Sequence, residues 1–164
     1  MSKLITIIHD DREKDPWDQE FLGSEFIVKR KRLKTGDYTI GGMDEILCIE
    51  KKSNWEELAL NIGVKRNRDN FEAELRRMQE YKVRILIIHD YYSRLRVMSS
   101  FRHTRTPPST VMGWLFNIQL EYGIQVMPIG PKPIAKMQVR QILKKLHEFR
   151  QTGRIFYHAT DKTR

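Results

Sequence analysis

The sequence contains one cysteine, Cys48, so an intramolecular disulfide and a cysteine-rich zinc cluster are both excluded. It has no apolar run near the roughly 20 residues that cross a bilayer. It also lacks an apolar N-terminal stretch followed by a small-residue cleavage site. Neither a membrane span nor secretion is therefore expected, and an intracellular, reducing setting is the simplest reading. There is no internal repeat, low-complexity linker or composition break. The 164 residues are read as one domain over 1–152 with a short C-terminal tail over 153–164. The five histidines, His9, His89, His103, His147 and His158, show no H-x-x-x-H or similar metal spacing. His9 and His89 each end a buried strand and read as satisfied structural histidines.

Acid is scarce in the second part of the chain. Through Asp90 there are 17 Lys and Arg against 18 Asp and Glu, whereas from Tyr91 onward there are 13 against 3. The net charge of +9 therefore sits almost wholly behind residue 90. Such asymmetry suggests a positive surface offered to a polyanion, nucleic acid above all, where phosphate contacts release counterions.

What is present reads as an α/β chain. Lys3–His9 and Glu25–Leu33 are strand-like, with a short helix over Pro16–Leu22 between them. Asp37–Ile40 and Ile46–Lys51 form a hairpin across Gly41-Gly42, and these strands together suggest an antiparallel meander. Ser53-Asn54-Trp55-Glu56 has the capping-box pattern and begins a helix that stops at Gly63. A second helix over Asp69–Tyr81 buries Phe71, Leu75 and Met78. Val83–His89 is a buried strand expected to pair in parallel. Tyr91–Thr106 reads as irregular. A markedly apolar helix over Ser109–Tyr122, a strand over Ile124–Ile129 and a last helix over Ile134–Arg150 complete a mixed sheet flanked by helices.

The chemistry centres on Asp37, Glu50 and Lys52. In a strand, side chains two apart share a face, so Glu50 and Lys52 point together, and pairing across the hairpin brings Asp37 near them. Two carboxylates there make a hard-oxygen site suited to Mg²⁺ or Mn²⁺. The lysine can orient or help deprotonate a water and offset charge on a phosphorane. This is the PD-(D/E)xK arrangement. By itself it also fits a solvated hairpin.

Its surroundings sharpen it. Asp10-Asp11-Arg12-Glu13 follows the first strand, Gly36-Asp37-Tyr38 opens the hairpin, and Glu50-Lys51-Lys52 closes it, with an acid at Glu56. In these motifs, and over roughly Leu4–Ile129, the chain resembles the nuclease domain of the XPF/Hef family of structure-specific endonucleases. That resemblance implies a restriction-endonuclease-like core. It also implies an Mg²⁺- or Mn²⁺-dependent endodeoxyribonuclease acting on flap, fork or junction DNA. It implies metal ligation by Asp37 and Glu50, with the Lys51 carbonyl as a third ligand and Asp10 near the metal. Lys52 would be the catalytic lysine, and Arg12 and Glu13 would complete the site, with Arg12 placed for a phosphate or a carboxylate. Two residues depart from the family pattern. Lys51 stands where the family has arginine, and Glu56 stands for an aspartate, in a position that a capping role explains.

Arg66 and Arg68 precede the amphipathic helix and are candidate DNA contacts. So are Arg94, Arg96, Arg102 and Arg105 in the acid-free stretch. Lys132, Lys136, Arg140 and Lys144 align along one face of the last helix, and the first three have no acid at i,i+4. That stripe is open to two readings, a solvated face or a line of phosphate contacts. The helix over 109–122 is apolar nearly all round, which fits either burial or a surface for pairing with a second copy. Three other functions compete: a catalytically silent DNA-binding scaffold subunit, a Holliday-junction resolvase or restriction-type nuclease on the same core, and an RNA- or anion-binding module. The silent scaffold would be expected to lose a carboxylate or the lysine.

Overall fold

In the computed structural model, residues 4–155 are described. The expected tail beyond residue 155, including His158, lies outside them. The elements run β1 (Ile5–His9), α1 (Gln19–Leu22), β2 (Phe26–Arg30), β3 (Tyr38–Ile40), β4 (Leu47–Lys52), α2 (Trp55–Gly63), α3 (Lys65–Met78) and β5 (Val83–Ile88). There follow α4 (Tyr92–Val97), α5 (Pro108–Leu120), β6 (Gln125–Pro128), a 3-10 turn at Lys132–Ile134 and α6 (Lys136–Gln151). No helix among the described residues is long and apolar enough to cross a membrane.

The six strands form one mixed sheet in the order β2-β1-β3-β4-β5-β6. The expected antiparallel meander is corrected at its first pair, because β1 and β2 run parallel, with Ile5 opposite Phe26. The reason is the long connection between them. It carries α1 across one sheet face and has the reach that a parallel return needs. β3 then pairs antiparallel on the other side of β1, and β4 antiparallel to β3. β4, β5 and β6 are parallel, as expected of strands joined through helices.

Every residue of β4 is buried. Cys48 packs with Leu86 and Ile88 against Trp55, Leu58, Phe71 and Leu75 of α2 and α3, and against Val111 and Ile118 of α5. Leu47 and Ile49 face the other way, towards Trp17, Phe21 and Leu22 around α1 and Val139 and Leu143 of α6. This two-sided burial leaves Glu50 and Lys52 on the α2/α3 side and Lys51 on the α1/α6 side.

Three local departures follow from competing interactions. β4 runs on to Lys52, so Ser53 is still leaving the strand and α2 starts one residue later than its pattern suggests. Asn54 is the N-cap, its Oδ1 accepting the Glu57 amide at 2.9 Å, and the Glu57 carboxylate accepts the Ser53 amide at 2.6 Å. Glu56 is freed from that role. In the region expected to be irregular, α4 forms one and a half turns over the single buried anchor Leu95. α3 begins at Lys65 rather than Asp69, almost continuous with α2.

Candidate active site

The ends of β1, β3 and β4 meet in register. The Asp10 amide donates to the Asp37 carbonyl at 2.8 Å, and the Asp37 amide to the Ile49 carbonyl at 2.8 Å. Gly36 makes the approach to β3 feasible. Its φ is +78°, and a Cβ there would lie 2.5 Å from Cys48 Sγ. Asp37 is thereby set beside β4, where its Oδ2 accepts the Lys51 amide at 2.8 Å.

Glu50 is only 4% exposed. Its Oε1 accepts Lys52 Nζ at 2.8 Å, while its Oε2 has no amide or cation as donor, the protonated Glu74 carboxyl being the one group among the described residues in reach of Glu50 to hydrogen-bond it. The Lys52 ammonium lies 5.1 Å from the centre of the Phe71 ring. Glu74, from α3, comes up against Glu50. Burial penalises the Lys52 ammonium, but the charges of Glu50 and Glu74 outweigh it and raise its pKa. Burial and the Glu50 charge push Asp37 up to about 9, and burial with the same neighbour lifts Glu74 to about 7. Three carboxyl groups thus crowd one ammonium.

That crowding and the all-oxygen donor set fit a divalent cation of the hard kind. No three His, Cys, Asp or Glu side chains among the described residues converge to cage an ion by themselves. Mg²⁺ does not need such a cage, because it is typically held by one or two carboxylates with water and substrate phosphate completing its shell.

Asp10, expected near the metal, has another occupation. It accepts Arg12 Nε at 2.6 Å, a second Arg12 guanidinium nitrogen at 3.1 Å, the Arg12 amide at 3.0 Å and the Leu33 amide at 2.7 Å. Both oxygens are committed, so Asp10 ties the end of β1 to the segment before β3. Burial works to raise its pKa, yet Arg12 and the two amides override this and hold it at about 2. Arg12 is therefore placed for a carboxylate, that of Asp10. Glu13 lies 3.4 Å from Lys51 Nζ and accepts the Asp15 amide at 2.8 Å. Lys51 Nζ also donates to the Asp15 carbonyl on the far side of the sheet from Lys52. Nearby, the Trp17 indole donates to His89 Nε2 at 2.9 Å and stacks on Tyr38 at 4.1 Å. Burial lowers His89 to a pKa of about 4, so it is a neutral acceptor. His9 Nδ1 lies 3.0 Å from the Asp10 carbonyl.

Above this floor opens a cleft of about 480 Å³. Asp37, Glu57 and Glu74 line it together with Arg12, Lys14, Lys34 and Arg77. Sequence patterns alone did not single out Glu57, Glu74, Lys14 or Arg77. Glu74 carried a usable signal: with Phe71, Leu75 and Met78 it occupies the i, i+3, i+4, i+7 face of α3, so it is an acid within a buried stripe.

The basic candidates divide. Glu56 accepts the His103 amide at 2.6 Å and fastens the 98–106 segment to the first turn of α2, next to cleft-lining Glu57. Arg102 and Arg105 of that segment are exposed. Arg66 and Arg96 are exposed, and Arg68 is half-buried. Arg94 is paired with Asp90 at 2.6 Å. The α6 stripe turns inward against α1. Lys132 binds the Asp15 carboxylate and the Pro16 carbonyl, and Arg140 donates twice to the Phe21 carbonyl at 3.1 and 2.8 Å. Lys144 pairs with Glu25 at 2.7 Å, and Lys136 lies 6.0 Å from the Phe21 ring centre. Lys132, Arg140 and Lys144 are thus engaged with neighbouring residues of the fold, on the sheet face opposite Glu50 and Lys52. In α5, Val111, Leu115 and Ile118 are buried, but Phe116 is 55% and Leu120 85% exposed, so the helix is only half covered.

Comparison with known proteins places this geometry. The family model described as the ERCC4 domain matches residues 9–132. XPF from Aeropyrum pernix is similar at 20% identity and a TM-score of 0.61, over 89% of this chain and 69% of that one. XPF from the same organism in a complex with DNA gives 19% identity and a TM-score of 0.66, over 87% of this chain and 64% of that one. This chain therefore spans about two thirds of those solved chains. At such identities the likeness speaks for the fold: a mixed sheet flanked by helices. No curated protein matches.

Proposed function

The chain belongs to the ERCC4 domain family and has the XPF-type nuclease fold, and from that premise we propose that it is a metal-dependent DNA endonuclease specific for branched DNA. The observation that carries this reading is the grouping of buried Glu50 and Lys52 with Asp37, which itself lines the cleft. Asp37 and Glu50 would hold Mg²⁺ or Mn²⁺, with the Lys51 carbonyl, next to Glu50 in the chain, as a third oxygen. When bound, the ion supplies Lewis-acid polarisation of the scissile phosphate and neutralises part of its charge. Lys52, kept protonated by its carboxylate neighbours, offsets charge that develops on the phosphate oxygens rather than serving as a base. Asp10 and Arg12 hold the turn that aims Asp37. Arg66, Arg68, Arg96, Arg102 and Arg105 would grip the DNA backbone without reading sequence. The exposed Phe116 and Leu120 of α5 suit pairing with a second copy, which light scattering on the purified protein would detect.

The test is incubation with labelled flap, fork, junction and unbranched duplex DNA in Mg²⁺, Mn²⁺ or EDTA. Cleavage near the branch in either metal, and none in EDTA, is expected. Equal cutting of unbranched duplex would remove the structure specificity. Binding without cleavage of any substrate would leave a silent scaffold.

A further inference from the structure

The cleft combines an acidic floor with a basic mouth. Asp10, Glu13, Asp15, Asp37, Glu57 and Glu74 give the cleft an acid-rich lining, so DNA needs cations at the entrance that no ion pair already holds. Four cationic side chains line the cleft. Arg12 is spent on Asp10 at 2.6 Å and Lys34 on Glu80 at 2.7 Å. The side chains of Lys14 and Arg77 are exposed and make no ion pair or hydrogen bond among the described residues, and Arg77 acts on the neighbouring Glu74 only through its charge. They come from separate elements, Lys14 from the turn after β1 and Arg77 from α3. Arg77 lies one helical turn beyond Glu74, so one side of α3 offers a carboxyl to the floor and a guanidinium to the mouth.

We propose that Lys14 and Arg77 form a two-point clamp on the DNA backbone, each binding a phosphate that flanks the scissile one. The inference rests on the nuclease reading and deepens it, because it makes α3 a substrate-binding helix as well as a core helix. Arg77, with its planar fork, suits a two-oxygen contact to phosphate, whereas Lys14 acts as a point charge on a mobile stem.

The experiment compares wild type with Lys14→Ala, Arg77→Ala and Arg77→Lys. Anisotropy of a labelled forked duplex in EDTA, across a KCl series, reads binding, and Mg²⁺-supported cleavage reads KM against kcat. Each alanine variant should lower affinity about 5- to 10-fold and reduce the slope of log K on log salt by about 0.9, the value for one neutralised phosphate on duplex DNA. KM should rise several-fold more than kcat falls. Arg77→Lys should restore the slope but only part of the affinity. Melting should be unchanged in Lys14→Ala and in Arg77→Lys, which keeps the charge beside Glu74, and Arg77→Lys therefore separates phosphate binding from any effect through Glu74. A wild-type slope and KM in either alanine variant overturns the clamp for that residue. A wild-type protein that neither binds nor cuts any DNA would instead defeat the nuclease reading itself.

Discussion

The Asp37 carboxylate accepts the main-chain amide of Lys51 at 2.8 Å, which fastens one acid to the strand that carries the other, Glu50. The hydrogen bond uses one oxygen of Asp37 and needs no charge.

Asp37→Asn should therefore keep the fold, because the amide oxygen can still accept from Lys51. Glu50→Gln likewise keeps an acceptor for Lys52. Both variants, and Lys52→Ala, are expected to lose at least ~100-fold in cleavage rate, the scale for removing a charge-stabilising group from an active site. In EDTA, Asp37→Asn should melt a few degrees above wild type, on the order of 1 kcal/mol, because it relieves carboxylate crowding. It should also lose most of the stabilisation that Mg²⁺ gives the wild type. Wild-type turnover in any of the three, measured beside its melting curve, removes that residue from the mechanism.

Asp10 sets an acid limit on stability. Its folded pKa, about 2, lies below the ordinary 3.8, so its contribution is fully present above pH 3.8 and is lost as pH falls through 2. The shift corresponds to about 2 kcal/mol. Urea unfolding between pH 5 and 2 should show the wild type losing this advantage over Asp10→Asn. Parallel pH profiles for the two would contradict it.

The helix cap has moved by one residue, and so should the mutational cost. Asn54→Ala or Glu57→Ala should each cost about 1 kcal/mol. Glu56→Ala should act through His103, loosening the 98–106 segment and weakening DNA binding more than it lowers the melting temperature. If Glu56→Ala melted early but bound DNA normally, its link to the basic segment would be irrelevant to function.

Charge reversal separates the two basic regions. Arg102→Glu with Arg105→Glu should flatten the salt dependence of DNA binding by about 0.9 for each phosphate that these arginines neutralise. Lys136→Glu with Arg140→Glu should keep the slope and lower stability, since the Phe21 carbonyl is deprived of both hydrogen bonds from Arg140. A changed slope in the α6 pair would restore it to the DNA interface.

Much of this protein was determined by sequence alone. Alternation along β4 placed Glu50 and Lys52 together, the Gly41-Gly42 turn set up the hairpin, and helical periodicity marked the core faces of α3 and α6. All are short-range consequences of how a backbone projects its side chains. Tertiary structure decided the rest. The parallel pairing of β1 and β2 depended on where α1 packed. The cap of α2 depended on how far β4 paired with β5. Glu74 joined the site because α3 lies across β4, and Lys132, Arg140 and Lys144 of the α6 stripe found partners in Asp15, the Phe21 carbonyl and Glu25, far away in the chain. An i,i+4 inspection finds only partners on the same helix. Charges and carbonyls supplied by a neighbouring element become visible only once the chain has folded.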